Sequence, residues 1–75
     1  MIEFKSLGWT TINGRGDVAI VACDRERPRE DCGLVGEAVK IDGYTYVVKG
    51  VERRLPASPI RRGEIIGLLV SWRPS

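Results

Sequence analysis

Seventy-five residues with 43% hydrophobic and 29% charged side chains describe one small folded domain, with room for a single core and no second lobe. Twelve Lys and Arg against ten Asp and Glu leave a net charge of +2, too small to demand a polyanionic partner. Histidine is missing altogether, which removes the commonest general base and metal ligand together, so an enzyme is not expected.

Gly or Pro interrupts nearly every helix-length window, and the apolar residues are β-branched and contiguous or alternating, so the chain reads as all-β. Ile2 and Phe4 alternate with Glu3 and Lys5, which predicts a short first strand with one wet face. Trp9 to Ile12 runs into Asn13-Gly14, the dipeptide that best supplies positive φ at both centres of a tight hairpin, and Gly16 places a bulge beside it. Val18 to Cys23 is apolar on both faces and is the expected central strand. Asp24 to Gly33 is the one long connection, either a loop or the exposed tip of a long hairpin, because Pro28 removes a ladder donor from its middle. Its Asp24 to Asp31 portion carries four acids and three arginines and nearly neutralises itself.

Val39 and Ile41 alternate with Lys40, and Asp42-Gly43 is a second hairpin signal into Tyr44 to Lys49. Pro56 and Pro59 prevent continuous pairing, so Leu55 to Pro59 is expected as a surface loop. Ile65 to Trp72 closes the sheet with Ile66, Leu68, Val70 and Trp72 on one face, and Gly67 marks a bend or a close backbone approach. About six short antiparallel strands in one domain spanning 1–75 fit a small closed or partly open β-barrel, since closure removes exposed edges.

The turn motifs fall in a definite order: Gly14-Arg15-Gly16, then Val35-Gly36-Glu37-Ala38-Val39-Lys40-Ile41, then Gly50-Val51-Glu52, then Arg62-Gly63-Glu64-Ile65-Ile66-Gly67-Leu68-Leu69. In this order, over residues 9 to 72, the chain resembles the second, β-barrel domain of translational GTPases of the elongation factor Tu type. The resemblance implies a barrel that, in that family, rests against a nucleotide-binding domain and helps hold the acceptor end of aminoacyl-tRNA. These 75 residues hold no Gly-x-x-x-x-Gly-Lys-Ser/Thr phosphate loop, so the resemblance is to a freestanding barrel of a kind that a phage or prophage carries, without GTP hydrolysis. The charged Asp24 to Asp31 insertion departs from the family's short turn at that place.

Chemistry-bearing residues are few. Cys23 and Cys32 have no third or fourth soft ligand, so neither a metal nor another cofactor is expected, and in a chain without a secretion signal both are read as reduced thiols. Ser58 and Ser71 have no base to activate them. Arg15-Gly16-Asp17 spells an adhesion tripeptide that turn geometry and exposure already explain. The candidate binding rim is Arg53, Arg54, Arg61 and Arg62 around the proline loop, with Tyr44 and Tyr46 as its aromatics. Trp9, Tyr44, Tyr46 and Trp72 together are either core and edge cover or a stacking platform.

The expectation is a non-catalytic β-barrel binding or assembly module with a protein partner. The alternatives are an RNA- or DNA-binding module using the basic rim and its aromatics, and a self-assembling structural subunit such as a virion component. No apolar run approaches the ~18 residues that span a bilayer, and the Met1 to Lys5 start is not that of a secretion signal, so no membrane partner and a cytoplasmic location are expected.

Overall fold

The computed structural model describes residues 2–27, 34–53 and 59–72, and their regular structure is all strand. In chain order these are β1 (Ile2–Phe4), β2 (Gly8–Ile12), β3 (Gly16–Ala22), β4 (Ala38–Ile41), β5 (Tyr44–Glu52) and β6 (Ile65–Trp72). They form one sheet in the order β1-β4-β5-β6-β3-β2. The edges β1 and β2 are joined by only Lys5, Ser6 and Leu7. A flat six-stranded sheet would hold its edges about 24 Å apart, from five spacings of ~4.8 Å, whereas four Cα steps reach at most about 14 Å. The sheet must therefore curl, and it does so into a partly open barrel whose edges are not joined by a ladder among the described residues.

The expected set of antiparallel strands holds with one correction. β1 pairs with β4 in parallel, Ile2 opposite Val39 and Phe4 opposite Ile41, while the four other pairings are antiparallel. The reason lies in the path: β1 leaves toward β2 on the far edge, so it meets β4 as a crossover and not as a hairpin partner. The Asp42 N–H donates to the Phe4 carbonyl, prolonging that ladder by one bond.

The two predicted hairpins use different turns. Asp42 and Gly43 both take positive φ, 53° and 89°, so Ile41 and Tyr44 face each other across a two-residue turn. At the other, Gly14 alone of the Asn13-Gly14 pair has positive φ, and Arg15 N–H donates to the Ile12 carbonyl at 2.9 Å. Gly16, at φ 125°, then restores the pairing with Ile12, so the loop is three residues long and not the tighter form that Asn-Gly suggested.

Alternation sorts the side chains. Ala19, Val21, Val39, Ile41, Val48, Ile66, Leu68 and Val70 point inward and form the core with Phe4, Cys23, Leu34 and Ile60. Val18 and Leu69 face each other on the other side of the sheet and are buried too, which is why this part of β3 reads as apolar on both faces. Gly67 makes the approach possible: a Cβ there would meet Val18 Cγ1 at 2.8 Å and Glu52 Cβ at 3.4 Å. β5 runs three residues past its expected end at Lys49, with a bulge between Val48 and Gly50.

The charged connection is only partly a solvent-facing loop. Arg27 is buried, its backbone paired in both directions with Ile60 at 2.9 and 2.8 Å and its Nη2 3.1 Å from Asp24 Oδ1. Pairing brings Ile60, from the far side of the proline segment, fully into the core. Pro28, Cys32, Arg54 and positions 55–58 of the proline loop lie outside the described residues. Cys23 is a buried free thiol that donates to the Arg25 carbonyl at 3.0 Å.

Candidate functional site at the mouth of the barrel

The inward face of the sheet does not end where the core ends. Continuing along β3, Val21 and Ala19 give way to Asp17; along β6, Leu68 and Val70 give way to Trp72; along β5, Val48 gives way to Tyr46 and Tyr44. Each of these strands is thus apolar and buried at one end and aromatic or charged at the other. Trp9 joins them from β2, because its register partner Ala19 places it on the same inward face.

These residues, Trp9, Asp17, Tyr44, Tyr46 and Trp72, line an open pocket of about 370 Å³. That volume lies at the lower end of small-ligand sites, roughly 300–1,000 Å³. Tyr46 and Trp72 are direct cross-strand partners, and Tyr44 stands two residues along the same face. The Trp9 and Tyr46 rings lie 5.5 Å apart at an inclination of 48°, a tilted contact that joins β2 to β5 over the open end. Tyr46 is half-buried against the core, whereas Trp9, Tyr44 and Trp72 are 43%, 62% and 63% exposed. Aromatic surface left in water on this scale sets the mouth apart from ordinary edge cover.

The described lining of the pocket carries negative charge. Asp17 is the pocket's charged lining residue, and Thr11 Oγ1 donates to its Oδ1 at 3.0 Å. Next to Trp9, the turn residue Asp42 accepts hydrogen bonds from the Ser6 hydroxyl and from the Ser6 N–H at 2.9 Å. The Ser6 hydroxyl first and its N–H second hold the Asp42 carboxyl below the usual aspartate range, with smaller help from Lys5 and the Trp9 indole.

The described arginines of the predicted rim, Arg53, Arg61 and Arg62, are elsewhere. Arg53 follows β5 at the end opposite Tyr44, on the order of 20 Å from Tyr46 along the strand. Nor is it a solvated cation. Its side chain is 1% exposed, its Nε and Nη2 stand 2.8 and 2.7 Å from Glu64 Oε2, and its Nη2 donates to the Pro59 carbonyl at 3.2 Å. Arg53 is therefore a structural tie between β5 and the segment entering β6. Arg61 and Arg62 are exposed on the turn before β6, where Arg61 N–H donates to Glu64 Oε1, and Arg54 lies outside the described residues. Arg53, Arg61 and Arg62 do not share a surface with Tyr44 and Tyr46.

Sequence reasoning named Tyr44 and Tyr46 and weighed Trp9 and Trp72 beside them, but it missed Asp17. The available signal was alternation: Asp17 shares the phase of Ala19 and Val21, so a strand beginning at Gly16 puts it on the inward face. Among the described residues no cluster of three or more His, Cys, Asp or Glu is placed to hold a metal ion, and no helix is long and apolar enough to cross a membrane. Comparison of the chain with known protein families, with curated proteins and with solved structures finds no match.

Proposed function

We propose that this chain is a non-catalytic binding module that holds a protein partner in the aromatic mouth of its barrel. One observation carries the reading: Trp9, Tyr44, Tyr46 and Trp72 converge from three strands onto an open pocket and leave large ring surfaces in water. Tyr and Trp are the side chains that dominate the buried centres of protein interfaces, since they bring much contact area for few frozen torsions. The likeness of the turn motifs to the barrel domain of elongation factor Tu type GTPases supports a module that binds and does not catalyse.

The nucleic-acid reading draws less support. A strand-binding groove needs cations tracking the phosphates beside the stacking rings. Here an aspartate lines the pocket, and Arg53 is held by Glu64 at the other end of the molecule.

A photo-cross-linking residue at position 44, compared with one at position 62, tests the proposal. Discrete protein adducts in cells from position 44, lost when Trp72→Ala is added, are the expected result. Adducts from position 62 alone would overturn it. So would single-stranded RNA binding that collapses between about 50 and 200 mM salt and disappears in an Arg61→Ala, Arg62→Ala double variant.

A further inference from the structure

Resting on that reading, we infer that the group received by the mouth is a quaternary ammonium: a trimethylated lysine side chain of the partner. Four aromatic side chains and one carboxylate make up the described lining. Ring faces carry the negative part of the aromatic quadrupole, and Asp17 adds a full negative charge, so walls and lining charge both favour a cation.

Hydrogen-bond accounting then chooses among cations. A bare lysine ammonium brings three donors and an arginine guanidinium five, each of which needs an acceptor when it leaves water. Thr11 Oγ1 already occupies one oxygen of the lining carboxylate at 3.0 Å, and the acceptors that remain are its other oxygen and the hydroxyls of Tyr44 and Tyr46, the rest of the wall being ring. Either group must exchange its water for those few acceptors, and every donor left without one is penalised by burial. A quaternary ammonium has no N–H to satisfy, is weakly hydrated, and presents methyl groups to the rings while keeping its charge.

The geometry suits such a group at the pocket's open side. Trp9 and Tyr46 are already in contact, so nothing inserts between them, and they act as one inclined wall. Trp72 stands beside Tyr46 across the β5–β6 ladder, and Tyr44 continues the wall along β5. About 370 Å³ is more than one trimethylammonium head needs, which leaves space for the stem that carries it.

The test uses the unaltered protein, because both of its tryptophans line the pocket and their emission reports occupancy. Choline is titrated against 3,3-dimethylbutan-1-ol, its uncharged carbon isostere. Saturable binding of choline with the isostere at least about tenfold weaker is expected; equal binding of the two, or no saturable change with either, overturns the inference. A trimethyl-lysine peptide is then compared with the same peptide unmodified and with choline. Preference for the trimethylated peptide over both supports a protein source, whereas choline bound as well or better shows a free small cation instead. Asp17→Asn, with its circular dichroism and melting temperature unchanged, should weaken choline roughly three- to tenfold, the range of one cation–π or ionic contribution. Because the cross-link at position 44 reports contact whatever enters the pocket, a failure with choline beside successful cross-linking removes this inference alone.

Discussion

The two ends of the β5–β6 hairpin are built from the same kind of strand and have come to opposite uses. At the Arg53 end three contacts close the molecule: Ile60 is fully buried, the Arg53 guanidinium lies on Glu64, and the Cys23 and Glu64 backbones extend the β3–β6 ladder by another bond. At the Tyr44 end the same inward-facing rows run out of partners and leave rings in water. Charge density marks the closed end and aromatic exposure the open one. In a barrel this small, a pair of neighbouring arginines is thus a poor guide to a binding surface, because a guanidinium held by a carboxylate and a carbonyl, as Arg53 is, seals the end of the sheet.

Truncating one large side chain at each end should separate the two most widely. Ile60→Ala at the closed end should cost about 2–5 kcal/mol, the usual range for emptying a buried aliphatic site. Trp72→Ala at the mouth should cost about 1 kcal/mol or less, as for side chains that leave no cavity behind. Urea denaturation followed by far-ultraviolet circular dichroism measures both. If Trp72→Ala destabilises as much as Ile60→Ala, the mouth is core and the functional reading loses its footing.

A smaller effect probes the belt between the ends. Gly67→Ala would place its Cβ 2.8 Å from Val18 Cγ1 in the middle of β6, and overpacking of this sort costs about 1–3 kcal/mol. The second substitution Val18→Ala removes the clashing methyl, so the double variant should recover part of the loss in the same assay. A strictly additive pair would show that the close approach of β3 and β6 is not what demands glycine.

Local signals in the chain carried the strands and missed the long-range pairings. The alternation of Ile2 and Phe4, of Val39 and Ile41, and of Ile66 through Trp72 places each strand correctly, because side-chain period is a property of a few adjacent residues. Asp42-Gly43 forms the expected turn for the same reason, whereas Asn13-Gly14 yields to the bulge that Gly16 allows. The parallel pairing of β1 with β4 joins residues 37 apart, and no local pattern encodes it. Burial of Arg53 depends on Glu64, eleven positions on, and burial of Arg27 on Ile60, so composition alone leaves both cations looking solvated. Convergence of the site has the same origin: Trp9 and Tyr46 meet only because the sheet curls.

The finest probe separates the ends by acid, since each carries one carboxylate held below its ordinary range. At the closed end Glu64 is lowered chiefly by the Arg53 hydrogen bond and next by the Arg61 N–H; at the open end Asp42 is lowered chiefly by the Ser6 hydroxyl. A carboxyl with a depressed folded-state value binds its proton more weakly folded than unfolded, so it stabilises fully above the unfolded value, near 4.5 for Glu64 and 3.8 for Asp42. That contribution is lost as pH falls from there through the folded value. Glu64→Gln should therefore lower the urea midpoint near neutral pH and converge on the parent protein in acid, flattening the acid limb. Asp42→Asn should flatten it in the same direction, with its onset at lower pH because its unfolded value is lower. Choline affinity distinguishes the two, because Asp42 stands beside Trp9 and Glu64 does not touch the mouth: only the Asp42 variant should alter it. A change of choline affinity in Glu64→Gln would mean that the ends communicate through β5 and β6, and the division between a sealing end and a binding end would have to be given up.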